Sequence, residues 1–305
     1  MTRFARRFRK VSSTLSRVEL MRSSMDATFA LTDIDLLDKD AGRRFLDFYG
    51  DDGLRLALER YGLFEAVRAR GYDHFELETW AHDDRHTLLV DGRTPGSAEA
   101  VRLIELMVRR DRLRIDPVEA YGPLDQTWEV LTVDWLTLRH PCGTFSQDRL
   151  RLPGQDAPGL GIGEAVLEML YRVVERLHLG ALVTVPEYFH NATLYARELP
   201  YVDPWYTGQL RALERLLFEQ EKLPFAQAAW AVHWGHVLDE SDRSFAWRGE
   251  AMLHPHDEGL AKYLRSDAYA EAARKSERGQ RYRLHRAAFD DQWSRDHASL
   301  LAIPD

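Results

Sequence analysis

The chain has 305 residues, of which 45% are hydrophobic, so it can fill the core of one large domain or of two ordinary ones. Its single cysteine, Cys142, excludes an internal disulfide, a thiolate zinc site and a CxxC redox pair, and no apolar run is long enough to cross a membrane. The formal net charge of −8 disfavours nucleic acid as a partner, and we expect a soluble, cytoplasmic protein that contacts no membrane.

The N-terminal residues differ from the rest of the chain in charge. Residues 1–24 carry seven basic side chains against one acidic side chain, Glu19. A segment so rich in arginine and serine resembles an organellar transit peptide in composition. The alternatives are a frayed tail, or translation that starts later, at Met21 or Met25. We expect residues 1–24 to form a basic, disordered arm.

Hydrophobic spacing predicts the elements that follow the arm. Two helices are expected between about 33 and 70, where apolar residues recur three and four positions apart. Alternating runs predict a hairpin over 74–92. The run 101–115 favours a strand, although a helical start stays open, and the β-branched run 129–138 predicts another strand.

A long loop, a helix and a short strand are expected next. Residues 139–158 have turn chemistry without a clear period, and loops of that length are usually functional. From Glu164 to Leu177 the polar residues form one narrow stripe, which predicts a mostly buried helix. The apolar run 181–185 then predicts a strand, so this part of the chain has the order of an α/β crossover unit.

Gly159, Gly161 and Gly163 lie directly before the buried helix. A glycine-rich turn at a helix N-terminus lets backbone N–H groups reach an anion, although close helix packing is the structural alternative. The dinucleotide fingerprint needs an acid about twenty residues further on, where Val183 stands, and a P-loop needs a lysine where Glu164 stands. Neither of these two phosphate-binding motifs fits the sequence.

The turn resembles the motif Gln/Arg-x-x-Gly-x-Gly/Ala of the GNAT acetyltransferases, with Gly161-Ile162-Gly163 as its Gly-x-Gly. The stretch ALVTVPEYFHNATLYARELPYVDP looks like the family's fifth strand, a short helix with Asn, Ala and a Leu-Tyr pair, and an aromatic strand. The resemblance covers residues 74–203. It implies a GNAT-like α/β fold with a mixed central sheet and flanking helices, here followed by a mainly helical C-terminal extension.

The resemblance also implies a function. In that family the backbone amides of the motif hold the pyrophosphate of acetyl-CoA, so we expect an N-acyltransferase that uses acetyl-CoA or another acyl-CoA. Its acceptor would be an amine on a small molecule or a peptide. Tyr195 falls where many members keep a tyrosine that protonates the departing thiolate. The cofactor-binding residues expected here are Gly159, Leu160, Gly161, Ile162, Gly163, Arg151 and Asn191.

Candidate bases follow from the residues themselves. Asp134 interrupts an apolar strand, where burial raises the pKa of a carboxyl group unless an arginine pairs with it or the position is open to water. Glu187 and His190 follow the fifth strand, at the end where open α/β sheets bind substrates. Arg151 is one of three arginines that flank the long loop and could neutralise a phosphate.

The predicted organisation is an arm at 1–24, a GNAT-like domain at 25–204 and a mainly helical extension at 205–305. No metal site is expected, because the histidines of HWGH and HPH lack further ligands in a recognised pattern. A homodimer stays open. The alternative function is a catalytically inactive GNAT-fold binding or interaction module, which Pro158, in place of the usual Gln or Arg, and the long loop favour.

Overall fold

The structure is a computed structural model that describes residues 2–23 and 44–303. Much of the first helix expected between 33 and 70 lies outside these residues. The chain divides into two compact units. Unit 1 comprises Met1–Arg112, Glu129–Cys142 and Gly159–Leu182, and unit 2 comprises Leu113–Trp128, Gly143–Pro158 and Val183–Asp305.

The first part of the chain contains helices α1 (Ala5–Thr14), α2 (Arg17–Met21), α3 (Asp51–Arg60) and α4 (Leu63–Arg68), then strands β1 (Asp73–His82), β2 (Arg85–Arg93), β3 (Val101–Arg114) and β4 (Thr127–Leu138). The middle contains α5 (Gly163–Arg176), β5 (Ala181–Thr184) and α6 (Phe189–Tyr195). The last part contains α7 (Pro204–Glu214), a π-helical segment (Arg215–Gln220), α8 (Phe225–His233), β6 (Val237–Asp239), β7 (Met252–Pro255), α9 (Glu258–Leu264), α10 (Asp267–Gly279), β8 (Tyr282–Leu284) and α11 (Arg286–Asp296).

The fold is mixed α/β. Six strands form one mixed sheet in the order β1-β2-β3-β4-β5-β7, and β6 pairs with β8. The expected hairpin over 74–92 is present as the antiparallel pair β1 and β2, and the ambiguous run 101–115 is strand β3, antiparallel to β2. Helix α5 lies in sequence between the neighbouring strands β4 and β5, as the crossover pattern predicts.

The N-terminal residues are folded, which differs from the disordered arm expected for 1–24. In unit 1 the side chains of Phe8 and Leu20 are 0% and 1% exposed. The guanidinium of Arg176 on α5 donates to the carbonyl oxygens of Ser12 and Leu15 at 2.7 and 3.1 Å. Burial of the apolar face of α1 outweighs the charge of its arginines, which stay at the surface.

The second expected helix is divided into α3 and α4. Gly62 separates them with a φ of 81°, a left-handed conformation that glycine adopts at little cost. Helix α5 begins within one residue of its predicted start and buries the apolar side of its stripe pattern, including Val166, Leu170 and Val174. Its buried polar residue, Glu168, is paired with Arg172 at 3.2 Å.

Unit 2 is mainly helical after residue 205, but its boundaries differ from the extension expected at 205–305. The unit also takes in 113–128 and 143–158, and β7 joins the six-stranded sheet. Contacts between segments that are distant in sequence set these boundaries, so composition alone does not reveal them. Among the described residues, no helix is both long enough and apolar enough to span a membrane.

Candidate functional site

The glycine-rich turn lies in unit 1 at the start of α5. Gly161 has a φ of 72°, in the left-handed region that strains residues with a Cβ. Ile162 is the N-cap residue, and no side chain caps this helix. The turn therefore delivers the chain into α5 with the helix N-terminus uncovered by a capping side chain.

The backbone of the turn is hydrogen-bonded at both of its ends. The N–H of Leu160 donates to the carbonyl oxygen of Leu138 at 3.1 Å, and Gly159 is bridged to Arg139 at the end of β4. The first helical hydrogen bond runs from Val166 to Ile162 at 3.0 Å.

The N–H groups between Leu160 and Val166 differ from those at the two ends. Within the part of the chain that the structure describes, the N–H groups from Gly161 to Ala165 have no hydrogen-bond acceptor. These unpaired amides overlap the cofactor-binding residues predicted at 159–163 only from Gly161 to Gly163 and extend further into α5.

The guanidinium of Arg70 lies against this run of amides. Its Nη2 atom is 2.7 Å from the position that a Cβ on Gly161 would occupy. Arg70 follows α4 and is exposed, and its side chain has no ion pair or hydrogen bond among residues 2–23 and 44–303. A guanidinium beside the positive end of a helix attracts an anion and offers it paired donors.

Arg70 was not expected from the sequence. It lies in the run VRARG, where basic residues after a helix are common because they complement the helix dipole. Nothing local in that run indicates a partner on α5.

The other two glycines of the turn have room for a Cβ within unit 1. A Cβ built on Gly163 would lie 3.7 Å from Leu138 Cδ1, and one on Gly159 would lie 3.7 Å from the Leu138 carbonyl oxygen, both ordinary contact distances. Packing within the protein therefore does not require glycine at either position. Bare backbone there keeps the turn accessible to a ligand.

Asp134 lies on the outer half of β4 in unit 1. Its carboxylate is 3.2 Å from Arg109 Nε and 3.6 Å from Arg85 Nε, and the neighbouring Trp135 is 44% exposed. The sequence left two environments open for this carboxylate, pairing with an arginine and exposure to water. In the structure Asp134 has both. The Asp134 carboxylate is therefore engaged in ion pairs with two arginines.

Tyr195 and Asn191 lie on α6 in unit 2. The Tyr195 side chain is half-buried, and burial raises the pKa of its hydroxyl group. That hydroxyl has no hydrogen-bond partner in the ranges that the structure describes. A neutral phenol with a free O–H is the state that a proton donor requires. The Asn191 backbone N–H donates to the Tyr188 carbonyl oxygen at 3.1 Å.

His190 is buried on the same helix. Burial, followed by the influence of His233, lowers the pKa of His190 to about 4, so its imidazole is neutral at pH 7. Its ring stacks on that of Tyr188 with centroids 5.5 Å apart. Glu187, three residues before His190, is exposed and lines a cleft of unit 2.

Arg151 also belongs to unit 2, whereas the glycine turn belongs to unit 1. Its backbone N–H donates to the Leu300 carbonyl oxygen at 3.0 Å, and its own carbonyl oxygen accepts from Trp230 Nε1 at 2.7 Å. These bonds fix the Arg151 backbone within unit 2.

One histidine of each pair in the C-terminal part has a hydrogen-bond partner in the protein. His236 Nε2 is 2.7 Å from Gln292 Oε1, and His254 Nδ1 is 3.2 Å from the Glu198 carbonyl oxygen. Among the described residues, no group of three or more His, Cys, Asp or Glu side chains is arranged to hold a metal ion.

Comparison of the chain with protein-family models gives no match, and comparison with curated protein sequences gives none either.

Proposed function

We propose that this protein is a GNAT-like N-acyltransferase that moves an acetyl or similar acyl group from acetyl-CoA, or another acyl-CoA, to an amine. One observation carries the proposal: the N–H groups from Gly161 to Ala165 and the guanidinium of Arg70 have no partner among the described residues, and that guanidinium lies next to Gly161. The order of the sheet agrees with it, because antiparallel strands β1 to β3 precede a β4-α5-β5 connection.

The pyrophosphate of an acyl-CoA fits this group of donors. Its oxygens would accept hydrogen bonds from the amides of Ile162 and Gly163 and from the first turn of α5, while Arg70 balances its charge. Gly163 is exposed and has no side chain, which allows the close approach that such bonds need. The thioester that the acyl-CoA brings supplies the acyl group.

The remaining steps concern protons. Transfer to an amine requires a group that accepts the ammonium proton and a group that protonates the departing thiolate. The family resemblance assigns the second role to Tyr195, whose raised pKa keeps the hydroxyl protonated. Among the candidate bases we favour Glu187 and neutral His190 over Asp134, which is ion-paired with two arginines.

The alternative is a GNAT-fold binding or interaction module without catalysis. The pairing of Asp134 with Arg109 and Arg85 favours it, because that carboxylate is then a structural group. Turnover separates the two functions. An enzyme releases free CoA when acetyl-CoA and a mixture of primary amines are supplied, whereas a binding module holds acetyl-CoA and releases none.

Thermal unfolding tests the shared part of both functions. At a hundred times its dissociation constant, acetyl-CoA should stabilise the protein by about 2.7 kcal/mol. S-acetylpantetheine, which carries the same thioester without the pyrophosphate, should give a much smaller shift. If acetyl-CoA, other acyl-CoAs and free CoA all leave the unfolding temperature unchanged, the transferase and any CoA-binding module are excluded.

A further inference from the structure

A cleft in unit 2 is walled by aromatic rings and contains one carboxylate. It has a volume of about 350 Å³, and the residues that matter here are Glu187, Tyr188, His233, Phe245 and Trp247. Its residues come from the segment after β5, from α8 and from the loop between β6 and β7. This volume suits a small molecule.

Close packing holds the aromatic rings in place. Gly154 has a φ of 76°, and the Tyr188 ring is 2.5 Å from where a Cβ on that glycine would lie. The Tyr188 ring also stacks on His190. Any side chain at position 154 would therefore displace the Tyr188 ring.

The loop between β6 and β7, which carries Phe245 and Trp247, is also held by contacts within unit 2. Trp247 Nε1 donates to the Pro186 carbonyl oxygen at 3.3 Å, and the Trp247 ring meets Phe189 edge-on with centroids 5.7 Å apart. Ser244 Oγ donates to the Gly235 carbonyl oxygen at 2.8 Å, which ties the loop to the end of α8. The wall of the cleft is thus built before a ligand arrives.

The charge that Glu187 brings to the cleft is negative. Glu187 is exposed, and its carboxylate pairs with no cationic side chain in the described part of the chain. No lysine or arginine lines the cleft among the described residues. Burial, followed by the charge of Glu187, raises the pKa of Tyr188, so this phenol stays neutral.

We propose that this cleft binds an organic ammonium ion that carries an apolar group. Aromatic faces attract cations and also bury apolar groups, and the lone carboxylate of Glu187 balances the positive charge. An anion is disfavoured here because, within the described ranges, the lining contains a carboxylate and neither a lysine nor an arginine. The site lies wholly within unit 2, and its test contains no CoA, so its outcome is independent of the proposed transferase function.

Calorimetric titration of the full chain at pH 8 compares two probes of nearly equal shape. These are 2-phenylethylammonium, which is charged, and 2-phenylethanol, which is neutral. We expect the ammonium ion to bind about tenfold more tightly than the alcohol.

Two variants locate the binding. Glu187→Gln should reduce the preference for the ammonium ion to about twofold, since it keeps the shape of the side chain and removes its charge. Glu240→Gln, at an exposed position that does not line the cleft, should keep the full preference. Equal binding of the two probes to the unmodified protein, or an undiminished preference in Glu187→Gln, would overturn the proposal.

Discussion

The Arg70 guanidinium lies directly against Gly161, with Nη2 2.7 Å from the position of a Cβ on that glycine. Both residues belong to unit 1. The contact combines a cation that has no partner among the described residues with the unpaired amides at the start of α5. The first three predictions follow from this arrangement.

Arg70→Gln should weaken acetyl-CoA binding by about tenfold, because one charge-assisted contact to the pyrophosphate is lost. Stability should be unchanged, since the Arg70 side chain is exposed and unpaired in the described part of the chain. Arg68→Gln is the matched control. Arg68 lies two positions away and interacts with Glu59 and Phe75 instead. Equal losses of affinity in the two variants would indicate a nonspecific charge effect.

Gly163→Ala should separate ligand binding from folding. The new Cβ would lie at an ordinary 3.7 Å from Leu138, and alanine favours helix over glycine, so stability should stay equal or rise by about 0.5 kcal/mol. Acetyl-CoA binding should fall by about tenfold or more, because the methyl group occupies the approach to the amides. Urea unfolding and calorimetric titration measure the two effects.

The control for Gly163→Ala is Gly279→Ala, at the end of α10, where a Cβ would meet nothing within 4 Å. This variant should bind acetyl-CoA as the unmodified protein does. Undiminished binding by Gly163→Ala would show that the turn does not hold the pyrophosphate.

Gly161→Ala should destabilise the protein by about 1–2 kcal/mol in urea unfolding, because alanine is strained at a φ of 72°. The new methyl group must also displace the Arg70 guanidinium. A stability equal to that of Gly163→Ala would show that the left-handed turn is absent in solution.

Tyr195→Phe should lower kcat by about 100-fold while the KM for acetyl-CoA stays within about twofold, because only the proton that returns to the thiolate is lost. Release of CoA thiol measures this, in a Cys142→Ser background that removes the exposed cysteine from the assay. Leu194→Ala, at an exposed neighbour on α6, should leave kcat unchanged. If Tyr195→Phe retains full turnover, the tyrosine is not the acid.

His190 should make the protein less stable in mild acid. Its pKa is lowered to about 4 in the folded state, so the unfolded chain binds a proton more readily between that value and about 6.5. The free energy of unfolding should therefore fall as the pH drops through this window, by up to about 3 kcal/mol from this group.

Urea unfolding of His190→Gln checks the acid sensitivity. The loss of stability between pH 7 and about pH 4.5 should be smaller in this variant than in the unmodified protein. His256→Gln, at an exposed histidine, should keep the full loss. An equal loss in all three proteins would mean that His190 is not desolvated in the folded state.

Local patterns in the sequence predicted the elements that carry the candidate site. The spacing of apolar residues located the hairpin, β4 and α5, because alternation and helical period record which face of an element is buried. The glycines before α5 indicated an uncapped helix N-terminus. Patterns of this kind depend on neighbours within a few residues, so one sequence is enough to recognise them.

The contacts that give these elements their chemistry were decided only by the tertiary structure. The approach of Arg70 to Gly161, the pairing of Asp134 with two arginines, and the burial of Phe8 all join residues that are far apart in the chain. The residues next to a charged side chain in the sequence do not show whether that side chain contacts water or a distant residue. Packing brings distant segments together, and only then is the environment of each charge fixed.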